Sequence, residues 1–188
     1  RMRQVEPRMF VGEFVGAVGS QASYGDRAFE LENRVMARLG LAPADISWQP
    51  ARDRHAEYVS VLGLISQTLG KIANEIINSE RNEVDEIHEP FNEGKVGSST
   101  MPHKRNPSVC ENIVSVSCCL RANVGIMQES MFVEHERDGA AWRLEWKALP
   151  ESCLMLSVML AQMKYVLSGL TVFPANMRRN LDLLGGFL

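Results

Sequence analysis

Residues 53–87 read DRHAEYVSVLGLISQTLGKIANEIINSERNEVDEI, and their apolar positions decide the fold. Tyr58, Val61, Leu62, Ile65, Leu69, Ile72, Ala73 and Ile76 recur at steps of three and four, which is one face of an α-helix. Asp53 is suited to the N-cap because its carboxylate can accept from the first free amides, and Pro50 stops a helix entering from upstream. The spacing predicts one long helix from Asp53 to about Ile87.

The same period returns twice. Val109, Ile113, Val116, Leu120, Val124 and Met127 form a second stripe. Met155, Val158, Met159, Gln162, Met163 and Val166 form a third, with Pro150 near its start. Phe29 to Leu39 reads as a shorter helix ended by Gly40, and Gly16–Ser20 as a turn. Leu170 to Phe173 is the one short strand candidate and reads as a connector. These stripes predict an all-α fold, a long antiparallel helix bundle, and their length predicts that neighbouring subunits complete the packing. Residues 1–168 are expected to form the central bundle domain, lacking upstream helices, and residues 169–188 the start of a C-terminal helical domain. The chain reads as a fragment of a longer polypeptide.

Composition narrows the class. The 188 residues are 45% hydrophobic and 23% charged, with net charge −3 and no basic run, which argues against a nucleic-acid or acidic-membrane partner. Cys110, Cys118, Cys119 and Cys153 form no CxxC pair and read as reduced core thiols of a cytoplasmic protein. No signal peptide is visible, and the apolar run from Cys153 to Met163 is too short to span a bilayer. No HExxH or other metal spacing occurs, so neither metal nor cofactor is implied.

Two connectors stand apart, about Glu89–Pro107 and Phe132–Ala148. The first contains Gly97-Ser98-Ser99-Thr100-Met101-Pro102-His103-Lys104-Arg105-Asn106-Pro107. Gly97 permits unusual backbone angles, the serines offer hydroxyls and successive amides, and Lys104 places a cation near the Asn106 amide. Such a set suits a small carboxylate and charge developing on it. A solvated surface loop has the same composition. Few groups there can be buried, so Glu89 to Met101 is expected to be mobile.

The run resembles the signature of the fumarase/aspartase superfamily, G-S-S-x-M-P-x-K-x-N-P, at every fixed position. The RDRHAEY, HERD and LTVFPANMRRNLD segments extend the resemblance over most of the chain. It implies an enzyme in which Ser98 is the catalytic base, removing a proton next to a carboxylate to give an aci-carboxylate. It further implies that Lys104 and Asn106 bind a substrate carboxylate, with Ser99, Thr100 and Met101 lining the same position. Arg54 and Arg137 are implied as further substrate contacts. Glu111 stands where the family places the glutamate that orients a catalytic histidine, although Ser108-Val109-Cys110-Glu111 also reads as a capping box. The segment carrying that histidine is absent here, so the fragment alone is expected to be inactive.

Thr100, His103 and Arg105 suggest the branch of adenylosuccinate lyase and 3-carboxy-cis,cis-muconate cycloisomerase. Trp142 and Trp146 stand where the former resembles serines and an arginine that hold a phosphate, and Trp48 where it has a glutamine. The expectation is therefore a cofactor-free cycloisomerase of aromatic catabolism acting on a small polycarboxylate, as a homotetramer with shared active sites. Adenylosuccinate lyase and an inactive helical oligomerisation module are the alternatives.

Overall fold

The computed structural model describes residues 1–91, 105–183 and 185. Helices α1 (Met2–Met9), α2 (Ala28–Leu39), α3 (Asp53–Ser79), α4 (Ser108–Glu129), α5 (Gly139–Ser168) and α6 (Pro174–Leu183) carry the fold, an all-α antiparallel bundle. Among the described residues the strands are two residues each: β1 (Val11–Gly12), β2 (Ala42–Pro43), β3 (Ile87–His88) and β4 (Thr171–Val172). β1 pairs in parallel with β2, and β3 antiparallel with β4. Residues 170–173, expected as a mere connector, thus supply a strand.

Two compact units divide the chain. Arg1–Leu64 and Arg121–Cys153 form the first, and Ile65–Leu120 and Leu154–Leu188 the second.

In the second unit, Ala73 and Ile76 of α3, Cys110 and Ile113 of α4, and Met159, Met163 and Val166 of α5 make one buried cluster. Between Leu62 and Ile76 the buried line of α3 runs through small residues, Ser66, Gly70 and Ala73. A Cβ at Gly70 would lie 2.6 Å from Ser117 Oγ and 3.1 Å from its Cβ, so the two helices meet at that point almost backbone to backbone. Of the predicted stripe, Leu62, Ala73 and Ile76 are buried, Tyr58, Val61, Ile65 and Leu69 are half-buried beside them, and Ile72 is exposed. Outward-facing Leu154, Val158, Leu160 and Leu167 leave apolar surface of α5 uncovered on both sides of its buried stripe.

α3 stops at Ser79 and does not reach Ile87. After Ile77 the apolar period lapses, Asp85 takes a left-handed φ of 54°, and the Glu86 amide turns back onto Ser79 O at 2.9 Å. Aspartate tolerates that conformation where a β-branched residue would not. Asp53 is the first residue inside α3 and not its cap. α6 buries none of its side chains; it is held through Asn176, which donates to Asp85 O at 2.6 Å and Asp85 Oδ2 at 2.9 Å, and Asn180, which donates to Val84 O and Glu86 Oε1.

The first unit has a smaller apolar cluster of Ala56, Val59, Met127 and Ala148. Beside it a buried ion pair joins Arg52 to Glu145: Nε donates to Oε1 at 2.5 Å and Nη2 to Oε2. α5 begins at Gly139, eleven residues before Pro150, so most of the supposed Phe132–Ala148 connector is helix. Asp138 explains the start, because its Oδ1 accepts from the Ala140 amide at 2.8 Å as an N-cap. Pro150 is tolerated inside the helix on an exposed side, where water can serve the carbonyl it leaves unpaired. Of the described helices α4 alone has the length and hydropathy of a membrane span, yet its Cys110, Ile113, Leu120 and Met127 are buried in protein.

Two stability tests follow, both read by denaturant unfolding of the full-length protein. Gly70→Ala should destabilise by about 1–3 kcal/mol through overpacking, and Ser117→Gly in that background should recover part of the loss. A neutral Gly70→Ala would refute the close approach. Glu145→Ala, by stranding Arg52 in the interior, should cost about 3–5 kcal/mol, whereas Arg52→Met with Glu145→Leu should cost much less. Equal losses for the single and double variants would contradict that account.

Candidate active site

The first turn of α4 organises the site. The Ser108 amide donates to Asn106 O at 2.7 Å and the Glu111 amide to Pro107 O at 2.9 Å, so Pro107 occupies the cap position and Ser108 is already helical. The capping box read from Ser108 and Glu111 is therefore displaced. Proline has no side-chain acceptor, and Glu89 supplies one from the other end of the connector. Its Oε1 accepts from the Val109 amide at 3.1 Å and its Oε2 from the Cys110 amide at 2.9 Å, the two donors that an N-cap side chain ordinarily serves.

Asn106 and Glu111 face one open cleft of about 640 Å³, lined also by Glu80, Asp85, His88 and Arg105. His88 Nε2 lies 2.7 Å from Asp85 Oδ1, and the edge of its ring meets Phe173 at 4.8 Å between centroids. Burial pushes the Glu80 carboxyl above its ordinary value; the Glu89 charge adds to this, while the Glu89 amide, His88 and Arg105 oppose it. Burial, with help from Glu89 and Glu80, raises the Cys110 thiol far beyond the physiological range, so it is an inert core group.

Of the residues expected in the site, Asn106 and Glu111 come together in this cleft. Ser98, Ser99, Thr100, Met101 and Lys104 lie outside the described residues, as does most of the Glu89–Met101 stretch expected to be mobile. Glu89 itself is buried and bonded at both backbone and side chain.

Arg54 and Arg137 belong to the first unit. Arg54 Nη1 donates to Arg8 O at 2.6 Å. Arg137 lies 5.9 Å from the Trp142 ring centre and, with the Gln49 amide oxygen turned toward it, donates to that oxygen from Nε and Nη2 at 3.2 Å each. Sequence reasoning had singled out Trp48 at this place, but the buried Gln49 next to it is the residue that meets Arg137. Trp142 stacks on Trp146 at 6.3 Å, and Trp146 is largely exposed. Trp48 packs edge-on against His55, whose imidazole is kept below its ordinary pKa by burial first and the Arg52 charge second. Glu89 escaped sequence reasoning because Val109 and Cys110 lie about twenty residues along the chain, and Asp85 because Asn176 lies ninety-one residues away.

Comparison with known proteins agrees with this picture. The profile of the Lyase_1 family, described as "Lyase", matches residues 1–121. N-acetyl-S-(2-succino)cysteine lyase of Dickeya dadantii is 49% identical over all 188 residues, adenylosuccinate lyase of Pyrococcus abyssi 47% over 97% of the chain, and 3-carboxy-cis,cis-muconate cycloisomerase of Pseudomonas aeruginosa 38% over the whole chain. The chain spans 41% of the length of each of these relatives. The crystal structure of 3-carboxy-cis,cis-muconate lactonizing enzyme from Pseudomonas putida superposes with a TM-score of 0.89 at 35% identity, covering 98% of this chain and 40% of that one. With the signature at 97–107, the helical bundle and these matches in agreement, the chain belongs to the Lyase_1 family of the fumarase/aspartase superfamily.

Proposed function

We propose that the protein carrying this segment is a lyase that removes a proton next to a carboxylate of a succinyl-bearing thioether and expels the sulfur. The observation that carries the reading is that Asn106, within the Ser98 motif, and Glu111, just after it, line one cleft. In the reaction Ser98 takes a proton from the CH₂ beside one carboxylate, and the electron pair moves into an aci-carboxylate. Lys104 and Asn106 bear that charge. The pair then returns to form the C=C bond of fumarate as the C–S bond breaks, and the thiolate leaves with both electrons. A serine hydroxyl is too weak an acid to act unaided, so amide dipoles and exclusion of water around Ser98 are part of the proposal.

Identity of 49% to the N-acetyl-S-(2-succino)cysteine lyase, against 38% to the cycloisomerase, moves the preferred substrate away from carboxymuconate. The 47% match to an adenylosuccinate lyase supports a second reading with the same succinyl half and a nucleotide as the leaving group. Against it, Trp142 and Trp146 stand where the resemblance to adenylosuccinate lyase would put phosphate-holding serines and an arginine, and Arg137 is engaged by Trp142 and Gln49. The uncovered apolar surface of α5 supports a homotetramer with shared sites, and the same reading keeps residues 169–188 as the start of a C-terminal domain.

Full-length enzyme should cleave N-acetyl-S-(2-succino)cysteine with kcat/KM at least about 100-fold above adenylosuccinate or 3-carboxymuconate, since a site built for one leaving group leaves its polar atoms unpaired with another. Faster release of fumarate from adenylosuccinate would overturn the choice of substrate. Ser98→Ala should lower kcat by about 10²–10⁴-fold with little change in substrate binding, and Lys104→Ala should weaken binding as well. Near-normal turnover by Ser98→Ala together with an inactive Ser99→Ala would assign the base to the other serine.

A further inference from the structure

Glu89 has no part in the chemistry proposed above, yet it is only 6% exposed and spans the two ends of the signature connector. The backbone that delivers it is fixed on every side. Its amide donates to Glu80 Oε2 at 2.9 Å, the preceding Ile87 and His88 pair with Val172 and Thr171, and the following Pro90 packs so tightly on Gly169 that a Cβ there would come within 2.8 Å. From this frame the carboxylate reaches the Val109 and Cys110 amides. Close by, the Arg105 guanidinium lies over the Phe91 ring at 4.7 Å, a second tie between the same two stretches.

The arrangement has a consequence for Glu111. In a self-capped helix of this sequence, Glu111 would fold back to serve the N-terminal amides. With Pro107 at the cap and Glu89 on the amides, the Glu111 carboxylate is left to the cleft, beside Asn106. Negative charge at a helix N-terminus is favourable, and here it comes from a side chain that the cleft does not need.

We propose that Glu89 is a positioning residue: by capping α4 across the connector it fixes the first helical turn and so sets Asn106 and Glu111 in the cleft. This rests on the lyase reading above.

Glu89→Gln keeps the volume and one oxygen but turns an N–H toward an amide donor, so half of the cap is lost. In the full-length enzyme kcat/KM for N-acetyl-S-(2-succino)cysteine should fall by about 100-fold, mostly in kcat, the size expected for a misplacement near 1 Å. Hydrogen exchange should quicken at Val109 and Cys110 while Leu120–Met127 stays as in the wild type, and kcat per folded molecule should fall even though the unfolding temperature drops only by the small amount one lost cap allows. Glu89→Ala should show the same pattern more strongly. A Glu89 that merely stabilised the fold would lower the unfolding temperature, quicken exchange along all of α4 and leave kcat per folded molecule unchanged; that result, or failure of both variants to fold, would overturn the proposal. Absence of wild-type turnover would overturn the lyase reading instead, and the exchange pattern alone would then decide whether Glu89 anchors the helix.

Discussion

Gly70 and Ser117 approach so closely that neither position has room for a larger side chain, and this contact fixes how α3 and α4 pack in the second unit. Ser66, Gly70 and Ala73 line the buried side of α3, while Ile72 is turned outward. Buried serines along such a line are cheap because each hydroxyl is satisfied within its own helix. Ser117 donates to Val114 O, Ser130 to Met127 O and Ser152 to Ala148 O, so these three hydroxyls are satisfied within the tight packing.

Where the long helices break, polar groups take over the work of cohesion. The turn at 80–88 carries almost no buried apolar side chain, and it is held by its own carbonyls and by the amides of Asn176 and Asn180, one helical turn apart on α6. His88 closes onto Asp85 from the same turn. The result is a rigid polar corner from which Glu89 projects. A carboxylate buried this deeply requires donors, and the head of α4 provides two. The corner and the α4 cap are therefore joined by hydrogen bonds, and the backbone of Asn106 and Glu111 leads directly from that cap.

The sequence made the helices legible because an apolar period of three and four survives tertiary packing. It made the end of α2 legible to the residue, since Gly40 has the left-handed φ of 70° that ends a helix. The signature at 97–107 was legible as chemistry because its order of residue types is specific. What failed was whatever depended on a distant partner. The extent of α3 past Ile77 was misjudged because charged residues are compatible with a helix until a left-handed Asp85 turns the chain. The start of α5 was misjudged because Pro150 drew attention from Asp138, a cap that needs no apolar neighbour. Glu111 was read as a capping partner of Ser108 because both are local; Glu89, twenty residues from Val109, was the better acceptor and gave no local sign of it.

The relatives differ in what leaves the substrate more than in what stays. Adenylosuccinate and N-acetyl-S-(2-succino)cysteine share a succinyl group and differ at the atom released, nitrogen in one and sulfur in the other, yet both enzymes match this segment at nearly the same identity, 47% and 49%. That near-equality fits a segment devoted to the shared half: a base on the carbon beside a carboxylate, and donors for the charge that forms there. A thiol of pKa near 8.5 departs as its anion more readily than an amine does, so a sulfur substrate asks less of a general acid. On the proposed function, the demand on Ser98, Lys104 and Asn106 is then the larger part of the barrier. On this argument, the precision with which the α4 head is held matters more for a thioether lyase than for an enzyme that must also protonate a nitrogen.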